Sequence, residues 1–177
     1  QDISNWNGAF NLTNTDDPRN WLFQNLLNEA GIDALLASQL QNRLQKCLGT
    51  NFNLKDEKGE VDIEQTAKLK LSPGTTDIHQ AIWEKRFYWY NLIELQATAD
   101  AIIVNKIPRQ NVVPQKGYFY PDYSEDKFIE YRQLKEFGKW ILEFNSSDHG
   151  LINKAIPHVL FKRFAQSCWS ELCELYG

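Results

Sequence analysis

Residues 76–107 read TDIHQAIWEKRFYWYNLIELQATADAIIVNKI and form the longest stretch that is compatible with one uninterrupted helix. Gly74 precedes this stretch and Pro108 follows it, and such residues typically bound a helix. The apolar side chains within it recur at spacings of three, four and seven, which places them on one side of a helix. They are Ile78, Ile82, Trp89, Leu92, Ile93, Ala99 and Ile103. The pattern predicts a long central helix around which the rest of the chain packs, with Trp89 and Leu92 in the core.

Two shorter helices are predicted before the central one. Asp17 and Pro18 are a typical helix start, because a carboxylate caps free backbone amides and proline suits the first helical position. Gly31 ends this helix, and a second one begins at about Asp33 and stops at Gly49, the glycine expected after a helix C-terminus. Helices joined by so short a turn form an antiparallel or angled pair.

Three further helices are predicted after the central one. Ser124 begins a helix whose apolar residues continue at helical spacing to Phe144. A short helix over residues 151–156 ends at Pro157, and a last helix begins near His158. The last helix is expected to bury Leu160, Phe161, Phe164, Cys168, Leu172 and Leu175.

Two segments depart from the helical pattern. Residues 1–17 are rich in Asn, Asp and Thr, which indicates an extended N-terminal arm anchored by its aromatic residues. Residues 50–72 alternate apolar and polar positions around a charged turn at Gly59, which fits a β-hairpin and a solvated excursion between helices equally well. The sequence therefore predicts an all-α fold: a single domain over residues 1–177 with five or six helices around the central one.

The composition restricts the class of protein. The chain has 177 residues, 42% of them hydrophobic, and a net charge of −4. No apolar run approaches the ~20 residues of a transmembrane helix, and the negative charge excludes a generally basic protein that coats nucleic acid. The cysteines, Cys47, Cys168 and Cys173, are odd in number and show no metal-ligand spacing. This usage indicates buried, reduced thiols and a cytoplasmic protein.

Catalytic and metal-binding motifs are absent from the sequence. The three histidines are never three or four residues apart, and no phosphate-binding loop or paired nucleophile and base is recognisable. Asp148 precedes His149 as a carboxylate that orients a base would, but it is more simply a helix N-cap. We therefore expect a protein that is not an enzyme and that holds no metal or cofactor.

Two stretches combine basic and aromatic residues without an intervening acid. The first contains Arg109 and Lys116 ahead of Tyr118, and the second contains Lys154 and Lys162. Such stretches suit a phosphate backbone and unstacked bases. The alternative interpretation is that the aromatic residues belong to the core and the charges only solubilise the protein.

A helical chain of this length, with basic stretches and no catalytic motif, resembles the helical small subunits of CRISPR effector complexes of the Cascade type. The resemblance implies a non-enzymatic subunit of an antiviral assembly, bound to partner proteins and to single-stranded nucleic acid or an RNA–DNA hybrid. The residues that would contact nucleic acid are Lys85, Arg86, Arg109, Lys116, Lys154, Lys162 and Arg163.

The sequence leaves a second class of function open. A small helical enzyme or ligand-binding regulator with a site composed of distant residues would show no motif. An assembly subunit, in contrast, is expected to expose aromatic surface, with Trp6, Phe10 and the aromatic run at residues 118–120 as candidates.

Overall fold

The chain is described by a computed structural model over residues 3–98 and 101–176. Within those residues it combines six α-helices with two three-stranded antiparallel sheets. The helices are α1 (Ile3–Leu12), α2 (Trp21–Gly31), α3 (Ala34–Leu48), α4 (Ile63–Leu71), α5 (Gly74–Tyr88) and α6 (Leu151–Tyr176). The strands are β1 (Tyr90–Ala97), β2 (Ile102–Lys106), β3 (Val112–Val113), β4 (Tyr118–Phe119), β5 (Ile129–Glu130) and β6 (Ile141–Asn145). The fold is mixed α and β, so the prediction of an all-α bundle is wrong.

The predicted central helix over residues 76–107 divides into a helix and a β-hairpin. Helix α5 ends at Tyr88, and β1 then pairs with β2 on one side and β6 on the other. The first four residues of β1 are all buried. A strand that is buried on both faces reads as a continuous apolar run, and periodicity alone does not distinguish such a run from a buried helix.

The change from helix to strand occurs at one residue. Trp89 has φ 82° and ψ −53°, dihedrals close to those of the rare γ-turn with positive φ, which is strained for a residue with a side chain. Gly150, with φ 84°, packs directly against this turn. A Cβ atom on Gly150 would lie 2.4 Å from the carbonyl oxygen of Phe87 and 2.7 Å from the amide nitrogen of Trp89. The amide of Ser146 also donates to the carbonyl oxygen of Trp89 at 2.8 Å.

The core is formed by α2, α6 and the α5–β1 turn. Phe23 and Leu27 of α2 and Ile152 of α6 are completely buried. Trp89 and Leu92 are 9% and 3% exposed, which confirms that both belong to the core, although neither lies in a helix. The boundaries of the α2–α3 pair are also confirmed at the turn between the helices and at the end of α3. The predicted start at Asp17 and Pro18 is wrong, because α2 begins at Trp21, after the N-cap Asn20.

His149 is a packing residue of this core. Its ring lies 4.7 Å from that of Phe10 and 4.2 Å from that of Trp89, centroid to centroid. Burial lowers the pKa of His149, and the neighbouring charge of Asp148 opposes the shift only in part. The carboxylate of Asp148 pairs with Lys154 at 3.0 Å instead, so the two residues do not act as a base and its orienting acid.

The region predicted as a helix from Ser124 to Phe144 forms strands and turns. Strand β6 completes the larger sheet by pairing with β1, with Ile93 opposite Leu142. Arg132 lies in a 3-10 turn and donates to both carboxylate oxygens of Glu143, at 2.9 and 2.6 Å. Long-range pairing and this ion pair override the local helical spacing.

The last two predicted helices are one. Helix α6 continues through Pro157, whose missing N–H removes one backbone hydrogen bond. The helix is not broken there because Ile152, Ile156 and Val159 are buried on both sides of the proline. Burial of these three side chains offsets the lost hydrogen bond.

The two segments that depart from the helical pattern also contain helices. The predicted extended arm forms α1, in which the indole N–H of Trp6 donates to the side-chain oxygen of Asn153 at 2.9 Å. Residues 50–72 contain a single bridge between Lys55 and Val61, followed by α4, whose N-cap Asp62 accepts from the backbone. A full hairpin does not form because the residues of α4 have no alternating pattern.

Substituting Gly150 with alanine should destabilise the protein strongly. The new Cβ would clash with Phe87 and Trp89, and alanine would have to adopt a left-handed backbone conformation. We therefore expect the free energy of unfolding to fall by about 3 kcal/mol or more. Gly138 is the matched control, because its φ is 79° but a Cβ there meets nothing within 4 Å. Gly138→Ala should cost only about 1–2 kcal/mol. Chemical denaturation of both variants measures the difference, and equal losses would contradict the packing of Gly150 on the turn.

The strain at Trp89 can be measured by comparing two truncations. W89A and W89G both lose the buried indole, at about 3–5 kcal/mol. We expect W89G to be the more stable by about 0.5–1 kcal/mol, because glycine adopts a positive φ without cost. At the helical, buried Phe87 the order should reverse, with F87A more stable than F87G. The free energies of unfolding of the four variants measure both differences. If the alanine variant were the more stable one at both positions, Trp89 would be unstrained.

Candidate protein–protein interface

Helix α6 is buried along its first half and uncovered along its second. Residues 164–176, which we call the α6 overhang, are all exposed. At ~1.5 Å per residue the overhang is about 20 Å long. The prediction that the last helix buries its apolar residues is therefore wrong beyond Leu160. Helical spacing shows which residues share a face, but it does not show whether anything packs on that face.

Two contacts hold α6 where the overhang begins. The ammonium of Lys162 donates to the Asp33 carboxylate at 2.7 Å, and the Arg163 guanidinium donates to the carbonyl oxygen of Glu29 at 2.8 Å. Asp33 also caps α3 by accepting from the amide of Leu36. Hydrogen bonding to Lys162 holds the pKa of Asp33 below its usual value. The α2–α3 turn thus fixes the direction in which α6 leaves the core.

The exposed surface of α6 carries an apolar stripe. Its seam follows alternate spacings of four and three, as in helices that pack along their length. The seam residues are Phe161, Ala165, Cys168, Leu172 and Leu175, and Phe164, Trp169 and Tyr176 flank them. Trp169 is 68% exposed and Tyr176 is 83% exposed. The four aromatic side chains bring roughly 400 Å² of exposed apolar surface or more, which is as large as the patches that mark interaction sites.

The exposure of the stripe corrects two predictions. Cys168 and Cys173 are exposed rather than buried thiols. The aromatic residues expected to be exposed are instead packed, since Trp6 and Phe10 contact the core and Tyr120 is 4% exposed. The most exposed aromatic side chains of the described chain lie on α6.

A groove of about 440 Å³ opens between α3, α5 and the start of α6. Its apolar lining includes Trp83, Phe87 and Leu151, while Arg43 and Lys46 bring positive charge from α3. The remaining lining residues are Cys47, Arg86 and Asp148. Because the carboxylate of Asp148 is paired with a lysine, the groove is positively charged.

A second groove, of about 630 Å³, lies between α1 and α2. Leu12, Leu22 and Leu26 contribute its apolar surface. Glu29 supplies charge there, and neither lysine nor arginine occurs among its described lining residues.

The structure separates the seven cations that the sequence analysis selected. Four of them bind their own chain: Arg109 to Glu84, Lys154 to Asp148, Lys162 to Asp33 and Arg163 to the carbonyl of Glu29. Lys85, Arg86 and Lys116 have no ion-pair partner within residues 3–98 and 101–176. Arg86 lies at the groove with Arg43 and Lys46, which the sequence analysis did not select because no aromatic residue accompanies them within α3.

Arg109 is a structural residue. Its guanidinium bonds Glu84 and Asn91, each at 2.6 Å, and lies 4.2 Å above the ring of Tyr88. Its side chain is 17% exposed. The sequence analysis did not identify Glu84 as the partner of Arg109, because the two residues are 25 positions apart and no local pattern joins them.

Neither a metal site nor a membrane span is found in the described part of the chain. No three or more His, Cys, Asp or Glu residues there are grouped so that they could hold a metal ion. The helices of that part are too short or too polar for a membrane crossing.

Comparison with known proteins identifies a family. A family model described as the portal protein of Mu bacteriophage matches residues 24–177, which begin within α2, extend through the overhang and omit α1. Neither a curated protein nor a solved structure matches the chain.

The contact between Asp33 and Lys162 should contribute less to stability at low pH. Because the folded-state pKa of Asp33 is lowered, its stabilising contribution is present above the unfolded value near 3.9 and is lost as pH falls through the folded pKa. Asp33→Asn keeps a capping side chain but removes the charge. We expect wild type to be more stable than D33N from pH 7 to about 5, with the difference shrinking below about 4.

Denaturation of both proteins at each pH measures this difference. In a Lys162→Met background the difference between Asp33 and D33N should be smaller and should depend less on pH, although the amide of Leu36 still lowers the pKa of Asp33. A pH dependence that is unchanged by K162M would show that Lys162 does not lower the pKa of Asp33.

Proposed function

The chain belongs to the family of the portal protein of Mu bacteriophage, and on that premise we propose that it is a structural component of a phage portal that assembles through the α6 overhang. Family membership overturns the resemblance to a CRISPR small subunit and its antiviral role. It also excludes the alternative of an enzyme or regulator that acts alone. The expected partnership with other protein subunits is confirmed, because a portal protein assembles with other phage proteins.

The exposed apolar stripe of α6 is the observation that supports the overhang as the assembly surface. Most helical stability in proteins comes from packing of an apolar face against a second surface, which the described chain does not supply for the overhang. The overhang has only 13 residues beyond its anchor, and it would expose aromatic side chains along most of its length. A partner that covers the stripe would stabilise both the helix and its hydrophobic surface.

The energetics of such a contact are favourable. Fully burying one large apolar side chain contributes about 1.5–3 kcal/mol. Six large apolar residues of α6 are between 47% and 83% exposed: Phe161, Phe164, Trp169, Leu172, Leu175 and Tyr176. Their combined burial, on the order of 10 kcal/mol, is comparable with the ~4–15 kcal/mol that association costs in lost freedom. The contact becomes strong once neighbouring polar groups and a second surface contribute.

We further propose that the chain carries no catalytic activity and assembles in the cytoplasm. The absence of a catalytic motif and the reduced cysteines support these two proposals. Contact with nucleic acid stays a prediction, and it would rest on Lys85, Arg86 and Lys116, since the other four cations bind their own chain. Such contact would be electrostatic, insensitive to sequence and weakened by salt.

Charges placed on the stripe should prevent assembly. We expect W169D combined with L172D to lower recovery of the chain in sedimenting assemblies at least about tenfold, because the contact loses two large apolar side chains, each of which contributes about 1.5–3 kcal/mol when it is buried. The control is Q166D combined with S170D, which adds the same charge on the polar side of the same helix. It should assemble as wild type does.

Sedimentation of the full-length protein with its phage partners, with circular dichroism to verify folding, measures both pairs of variants. Equal assembly of the two pairs would contradict a role for the stripe. A wild-type chain that remains monomeric in the presence of the other phage proteins would contradict the proposed function itself.

A further inference from the structure

The overhang and the positively charged groove lie at opposite ends of helix α6. Leu151, the first residue of α6, lines the groove together with Lys46 near the end of α3. Eleven residues later, Lys162 binds Asp33 at the start of α3. Helix α6 therefore runs antiparallel to α3, and the overhang continues past Asp33, away from its own groove. Because α6 is continuous, the groove of a chain cannot receive the overhang of the same chain.

The charges of the overhang and the groove are complementary. Residues 164–176 contain Glu171 and Glu174 and no lysine or arginine. The groove presents Arg43, Lys46 and Arg86, and its carboxylate is already paired. Opposite charges across an interface favour association and fix its orientation.

The groove also suits the apolar stripe. Trp83 and Leu151 in its lining are 38% and 39% exposed, so a partner gains by covering them. A volume of about 440 Å³ lies within the ~300–1,000 Å³ of pockets that enclose drug-sized ligands. Aromatic side chains of the overhang would fill it as anchors. A phosphate backbone would match the arginines but would leave the apolar lining uncovered.

We propose that the α6 overhang of one copy of this chain docks in the groove between α3 and α5 of a second copy. The inference deepens the proposed function and rests on it. The contact is head to tail, because the donating and receiving surfaces are different. A contact of this kind repeats from copy to copy, and it closes into a ring or continues as a filament according to the rotation between copies.

The native cysteines allow a direct test. Cys168 lies in the seam of the overhang and Cys47 lines the groove. Copies with light and heavy isotopes are mixed, assembled and treated with a short bismaleimide, and the linked peptides are identified by mass spectrometry. We expect Cys47–Cys168 links that join light and heavy copies. C47S should abolish them, and C173S should retain them.

Two results of the cross-linking would overturn the proposal. Links between Cys168 of one copy and Cys168 of another would show that overhangs pair with each other. Links from Cys168 only to other phage proteins would show that the partner is not a second copy.

A charge exchange tests the same contact independently of cysteine chemistry. R43E combined with K46E should weaken self-association at least about tenfold, since both side chains are exposed and the fold does not depend on them. Adding E171K to this variant should restore most of the lost association, because Glu171 borders the apolar stripe. Analytical ultracentrifugation measures the association, and circular dichroism verifies folding.

Different results would contradict the docking proposal and the proposed function. The W169D and L172D pair could prevent assembly while the charge reversal does not, or the charge exchange could fail to restore self-association. Either result would show that the overhang does not dock in this groove, and the proposed function would still stand. If R43E with K46E lowers binding of a single-stranded oligonucleotide and leaves self-association unchanged, the groove serves nucleic acid and the docking proposal is wrong.

Discussion

The strained turn at Trp89 is the constraint on which the rest of the structure depends. With φ 82°, this residue ends α5 and starts β1 without a loop, so the helix and the strand share one rigid junction. The segment between β6 and α6 closes on the junction, through the amide of Ser146 and the close approach of Gly150. The same packing that stabilises the turn therefore places β6 beside β1 and sets the starting point of α6. Strain of this kind persists only where surrounding contacts determine the conformation fully.

The position of the overhang follows from that junction. Helix α6 starts against the turn, is held by Ile152 and Ile156 in the core, and receives its last contacts from Asp33 and the carbonyl of Glu29. Its first half is thus part of the fold and its second half is available for assembly. A rigid element that is anchored at one end presents its apolar stripe in a fixed direction, which lowers the entropy lost when a partner binds.

The distribution of cations shows how tertiary structure changes an electrostatic interpretation. Arg109 lies in a stretch of sequence without acids, yet Glu84 neutralises it across the α5–β1 junction. Arg43 and Lys46 belong to neither of the basic and aromatic stretches of the sequence, yet the packing of α3 on α5 brings them beside Arg86 at an apolar groove. A field depends on distances in space, so the charges that stand near each other along the chain were a poor guide to the charged surface.

The sequence by itself determined the features that depend on neighbouring residues. Asp33 and Gly49 bound α3 because capping involves only adjacent backbone groups, and the apolar character of Trp89 and Leu92 was sufficient to place both in the core. The tertiary structure alone decided whether the apolar run after Tyr88 became strand or helix, because β1 exists only by pairing with two strands distant in sequence. It also decided that the stripe of Phe164, Trp169 and Leu172 is uncovered. Periodicity defines a face of a helix, but burial of that face requires a second surface, and the described part of the chain provides none beyond the α2–α3 turn.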